Sequence, residues 1–219
     1  MAALGNRSVQ GSIIELDAYA VLANGDPSQL ERSSKRQLLY QLKEIEAADP
    51  YFRRSDFWRR FSAAGFFTQD VVEEIKPLLT MGNDGHLRDL ILELLADSPV
   101  NSQLVPELSQ LTLNPNESEH IRTLASRCLL NIKEYDCIGA LAVLIFEASN
   151  ISLNIAANVI EVTGPEKFDH RYLSGFFRVC ANLYPGHEEQ FERVVGLVIL
   201  LKSSFPVFHC ILSNFFWTN

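Results

Sequence analysis

One pattern returns at near-constant spacing through the middle of the chain and limits what it can fold into. Leu87-Arg88 with Leu90-Ile91 opens one apolar-striped segment. Ile121-Arg122 with Ala125 opens another 34 residues on, and Leu153-Asn154 with Ala157 opens a third 32 residues further. A more apolar segment precedes each, at 69–80, 102–113 and 135–148. Two helices per period of this length are the signature of an α-solenoid. A lone amphipathic pair cannot bury its stripe, so pairs stack and share a continuous core.

The periodicity within each segment agrees. Leu87, Leu90, Ile91, Leu94 and Leu95 follow one helical stripe. So do Ile121, Leu124, Ala125, Cys128, Leu129 and Ile132. No stretch alternates with period two. The expected fold is all-α: HEAT-like helix pairs in a right-handed superhelical stack of roughly eleven or twelve helices, by count of the breaks. Residues 1–66 read as an N-terminal helical region, and 67–219 as the repeats, continuous with it as one domain.

Punctuation sets the expected boundaries. Asp26-Pro27-Ser28 should start a helix, since proline suits a first turn, and Asp49-Pro50 should end it. Ser55 should cap 56–63 and Thr68 should cap 69–80, with Pro77 tightening the last turn. Later breaks fall at Gly82 to Gly85, Asp97-Ser98-Pro99, Asn114-Pro115-Asn116, Ser149-Asn150, Gly164-Pro165 and Pro185-Gly186.

Charge weighs against nucleic acid. The chain of 219 residues carries a net charge of -8. Its first 110 residues hold 11 basic and 16 acidic side chains, and the rest hold 8 and 11. Neither half is a basic lobe that would face phosphates. Cys128, Cys137, Cys180 and Cys210 form no C-x-x-C pair and sit among apolar residues. They read as buried reduced thiols of a cytoplasmic protein. The uncharged apolar runs 137–146 and 194–201 fall short of the roughly 20 residues a bilayer needs. Glu15 and Asp17 interrupt the first apolar stretch, which therefore is not a signal peptide.

No motif builds a reaction. The stretch from Gly5 to Gly11-Ser12 has one residue too many for a P-loop and lacks its lysine. His86, His120, His170, His187 and His209 include no i, i+4 pair, so no metal or other cofactor is expected. Glu73-Glu74 and Glu188-Glu189 are adjacent on helices, which points their carboxylates about 100° apart, onto solvated faces. Asp169-His170-Arg171 lacks an identifiable nucleophile. The richest cluster is Phe52-Arg53-Arg54-Ser55-Asp56-Phe57-Trp58-Arg59-Arg60-Phe61. Arg53, Arg54, Trp58, Arg59 and Arg60 form the candidate interaction patch, for an acidic partner or phosphate. The plainer reading is a capped short helix that buries the aromatics and pairs the arginines with nearby acids. Arg88, Arg122 and Asn154 are the structural repeat positions.

Ala20 to Leu30, with its Asp26-Pro27-Ser28-Gln29-Leu30 element, followed by Lys35-Arg36-Gln37-Leu38-Leu39, resembles the junction in bacterial STAND/NACHT-type NTPases. There an ATPase module is followed by HEAT-like repeats. Asp56-Phe57-Trp58, the Leu87-Arg88 helix, and Leu113-Asn114-Pro115 before Ile121-Arg122 extend the similarity over residues 15–135. The resemblance implies a helical arm that senses a ligand or transmits its binding to a fused effector, often in anti-phage defence. In HEAT repeats the arginine at the position of Arg88 and Arg122 bonds to acids and carbonyls between repeats; Asn154 departs from that. The Walker motifs are missing, so no catalytic residue carries over. The expected partner is a protein or the NTPase module of a longer parent. No formal charge follows Lys202, while Phe205, Phe208, Ile211, Leu212, Phe215, Phe216 and Trp217 crowd together. Such a tail should fold back on the last repeat, or else the natural polypeptide continues. The rivals are a stand-alone HEAT-repeat scaffold and a HEAT-like nucleic-acid enzyme resembling the helical-repeat DNA glycosylases.

Overall fold

The computed structural model describes residues 7–55, 65–80 and 85–183, and these are all-helical, with no strand among them. Ser55's expected helix 56–63, the Pro185-Gly186 break and the apolar tail lie outside the described residues. Contacts gather into two units, one through Tyr135 and one from Asp136.

In the first unit, α1 (Arg7–Asn24) is broken at Asp17, whose backbone is extended (φ −159°, ψ 87°). The Asp17 carboxylate accepts the Ala20 N–H at 2.8 Å and so caps the second half of the helix. The Asp26-Pro27 start lies elsewhere than the sequence suggests. Pro27–Gln29 is only a 3-10 turn, in which Asp26 accepts the Ser28 N–H. Leu30 and Glu31 are extended, and α2 (Arg32–Ala48) begins after them. Pro27 and Leu30 are both buried at this break in the helix. Asp49, before Pro50, ends α2 as expected.

The next helix also starts late. Gln69–Val71 is a 3-10 turn that runs into α3 (Val72–Thr80), with Pro77 inside it. Thr68 stands at the cap position but makes no side-chain cap bond; its hydroxyl donates to the Asp70 carboxylate. Then follow α4 (His86–Leu95), α5 (Val105–Leu113) and α6 (Glu119–Leu130). Ser98 caps the 3-10 turn Pro99–Gln103, and Ser118 caps α6. Helix α3 packs on α4 and α5, α4 on α2 and α6, and α5 on α6. Leu42, Ile75, Leu79, Leu90, Ile91 and Leu108 lie in the shared core.

In the second unit, α7 (Cys137–Glu147), α8 (Asn150–Thr163) and α9 (His170–Leu183) pack on one another. Asp136 caps α7. Ala148 then takes a left-handed conformation (φ 56°), and Ser149 with Ser152 forms a reciprocal capping box on α8. That succession fits a reversal into two residues. Gly164 (φ 92°) makes the exit from α8, where a residue with a Cβ would be strained. Leu141, Leu144, Ala156, Ile160, Phe176 and Cys180 are buried.

Two of the cysteines match their expected burial. Cys128 and Cys180 are buried, and burial pushes both thiols up to about 12. Cys137 is only partly buried, because it lies in the first turn of α7. No helix among the described residues is long and apolar enough to cross a membrane.

Leu124, on α6, faces this core at 4% exposure. Leu124→Asp would leave a carboxylate there without a partner, which costs several kcal/mol. We expect the thermal transition of the first unit to be lost or to shift by at least about 10 °C. An unchanged transition by calorimetry would remove Leu124 from the core.

Candidate functional site

Helix α4 carries the most unusual chemistry in the fold. Leu87, Leu90, Ile91, Leu92, Leu94 and Leu95 are all buried, and so is Arg88, so nearly every side of the helix is covered. Its polar residues must then find partners inside the protein.

The start of α4 is held by an acid from α2. Glu46 accepts the Leu87 N–H at 2.9 Å, placing a carboxylate at the positive end of the helix dipole. The approach is close: a Cβ on Gly85 would lie 2.2 Å from Glu46 Oε1, so the carboxylate would have to shift to admit one. Pro50 accepts the His86 N–H at 2.8 Å. The turn after α2 thus clasps the same helix end.

The same turn delivers Arg53. Its backbone N–H donates to His86 Nδ1 at 3.3 Å, and its guanidinium meets Glu93 at 3.0 Å. Arg53 is fully buried, so it belongs to the core and not to an exposed interaction patch. Arg54 is exposed and stays on its own turn, donating to both oxygens of Asp49 and to the Tyr51 carbonyl. The structure therefore separates two residues that are adjacent in sequence. Trp58, Arg59 and Arg60 lie outside the described residues.

On other sides of α4, Arg88 pairs with Glu117, in the loop before α6, at 2.9 Å. Asp89 faces His120, the second residue of α6, at 3.8 Å. Burial pushes the Asp89 carboxyl above its usual range, against the pull of His120, His86, Arg53 and Arg88. Arg122 is buried, and its Nε donates to the Thr112 carbonyl at the end of α5, at 3.0 Å. Asn154, the third repeat position, is exposed on α8. Arg88 and Arg122 thus join neighbouring segments through a carboxylate and a carbonyl, while Asn154 is placed differently.

Several residues here went unnoticed in the sequence. Lys35 and Glu46 stand on the stripe of α2 that carries Leu38, Leu39 and Leu42, and the charges in apolar register were the available signal. Lys35 Nζ donates to the Thr68 hydroxyl at 3.2 Å and the Gly65 carbonyl at 3.4 Å, and its burial lowers its pKa, opposed by Asp70. Buried Asn101 donates to the Leu95 and Cys128 carbonyls at 2.7 and 3.3 Å, joining the ends of α4 and α6. Glu93 had no such signal, since its partner lies 40 residues away.

A cleft of about 450 Å³ opens beside the start of α4, lined by Lys43, Glu44, Tyr51, Leu78, Leu87 and Arg88 among others. Of its polar lining, Glu46 already caps α4 and Arg88 already meets Glu117. Among the described residues, no group of three or more His, Cys, Asp or Glu side chains could hold a metal ion. What this arrangement does chemically is join helices.

Two outcomes follow. Arg53→Met leaves Glu93 as a largely buried charge without its guanidinium and should cost about 3–5 kcal/mol in urea unfolding. Adding Glu93→Leu should recover most of that loss; a double variant no more stable than the single would show that the pair is not coupled. Asp89 carries the opposite sign from a salt-bridged acid. Its raised pKa means that the folded state holds the proton more tightly than the unfolded chain does. Its contribution is therefore fully present below the ordinary value of 3.8 and declines as pH rises through the folded value. Asp89→Asn should stabilise the protein at pH 7 and lose that advantage as pH falls towards 3.8. A stability difference independent of pH would exclude this.

No family model matches the chain, and its comparison with curated proteins and with solved structures finds no match.

Proposed function

We propose that the chain is a non-catalytic α-solenoid of HEAT-like helix pairs, serving as a protein-interaction or sensor region. Its counterpart is the helical arm that follows the ATPase in STAND/NACHT-type NTPases. It acts in the cytoplasm through a protein partner, or through an NTPase module carried on the same or another polypeptide.

The observation that carries this reading is the order of packing in the first unit. The first helix of one pair, α3, lies against the first helix of the next, α5. The second helix, α4, lies against the second, α6. Stacking of like on like is what a repeat requires. The bond from Arg88 to the loop before α6 supports it too, because it runs from one pair to the next. The buried ionic groups are engaged in holding helices together, which supports a surface that recognises shape over a site that reacts. The net charge of -8 disfavours duplex DNA as the ligand.

The test is recovery of the protein from its native host with a tag at the chromosomal locus, followed by size-exclusion chromatography and mass spectrometry. The expected result is a stoichiometric polypeptide, separate or continuous with this chain, that carries a P-loop. Recovery as a lone species would sink the NTPase connection. Tight, steeply salt-dependent binding to duplex DNA would favour the glycosylase-like rival instead.

A further inference from the structure

The cleft beside the start of α4 has a volume of about 450 Å³, inside the range of roughly 300–1,000 Å³ that small-molecule sites occupy. Leu78, near the end of α3, and Leu87, in the first turn of α4, are buried and give it an apolar base. Ala47, exposed on α2, and Tyr51 line it as well. Tyr51 is 51% exposed, yet its ring is held: it makes a T-shaped contact with His86, centroids 5.3 Å apart, and its N–H donates to Asp49 at 3.1 Å.

Among the described residues, four charged side chains line the same space: Lys43, Glu44, Glu46 and Arg88. Glu46 and Arg88 are each 7% exposed and are engaged by the fold, with the Leu87 N–H and with Glu117. Their positions are fixed before any ligand arrives. Lys43 and Glu44 are exposed, on consecutive residues of α2. Two cations and two anions give this lining no net charge. A ligand of one sign meets repulsion as well as attraction there, whereas a ligand that carries both signs has a partner for each.

We propose that this cleft binds a free α-amino acid with a large apolar side chain, as its zwitterion. The ammonium group lies with Glu44 and the ring of Tyr51, and the carboxylate with Lys43. The apolar side chain rests on Leu78 and Leu87. Spacing selects the free amino acid over a peptide. Lys43 and Glu44 have Cα atoms only about 3.8 Å apart, and an α-amino acid holds both charges on one carbon, while each added residue moves a peptide's terminal charges further apart. The inference gives the sensor reading a ligand class and does not need the NTPase connection. A chain recovered alone from its host would still bind the amino acid, and failure to bind would leave the stacking of helix pairs untouched.

The test is isothermal titration calorimetry of the full chain with L-phenylalanine. The expected result is saturable binding at one site with a Kd of about 1 mM or below. L-phenylalaninamide and N-acetyl-L-phenylalanine each lack one charge and should bind at least about fivefold more weakly. Glycine, which lacks the apolar side chain, should bind at least about tenfold more weakly. Ala47→Trp fills the cleft from an exposed position and should abolish the heat of binding while leaving the thermal transition in place. Lys43→Ala should weaken L-phenylalanine about fivefold, which decides the matter if the tryptophan variant fails to fold. Absence of saturable binding at about 10 mM would overturn the proposal. So would an analogue or glycine that binds as tightly as L-phenylalanine, a folded Ala47→Trp variant that still binds, or a Lys43→Ala variant of unchanged affinity.

Discussion

A helix buried on nearly every side is the constraint from which the rest of the first unit follows. Backbone ends and charged side chains cannot be left dry without partners. Helix α4 has both. Its first N–H groups are met by Glu46 from α2 and by the Pro50 carbonyl, so α2 and the turn after it must close over that end. Its Glu93 needs a cation, and Arg53 from the same turn supplies one. Its Arg88 reaches the loop before α6. Each demand of α4 therefore fixes another element, and no apolar contact could fix them with the same directionality.

These pairs are not an obvious source of net stability. Desolvating Arg53 and Glu93 costs several kcal/mol per ion, which their attraction only offsets when the geometry is good. Apolar side chains of similar volume could do as well. What the pair adds is a penalty for alternatives: any packing that separates the turn from α4 strands a buried charge. The unfavourable position of Asp89 belongs to the same cluster. Arg53, Arg88 and the imidazoles of His86 and His120 surround it, and burial still prevails. The seam thus has a weak place as well as strong ones.

The fold was legible wherever it depended on local pattern. Stripes such as Ile121, Leu124, Ala125 and Cys128 are a property of one helix, and Asn114-Pro115 or Ser149-Asn150 breaks a helix by local chemistry. Boundaries failed where a distant core decided them. Proline at 27 fits the first turn of an α-helix and of a 3-10 turn equally, so the local sequence does not separate the two. Arg53 was misplaced for the same reason. Beside Arg54 it reads as half of a surface patch, and nothing near it in sequence announces Glu93. The more informative signals were charges in apolar register, such as Lys35 and Glu46 on the stripe of α2. A lysine or glutamate kept where a leucine would fit has a partner to meet.

The second unit solves its packing by other means. Helix α7 is uncharged from Cys137 to Phe146 and buries Ala140, Leu141 and Leu144, and its directional information sits at the ends, in Asp136, Glu147, Ala148 and the Ser149–Ser152 box. Apolar packing is tolerant: many partners of about the right volume can fill a groove. The first unit therefore adds charge pairs, residue against residue, to its apolar packing, while the buried side of α7 relies on volume alone.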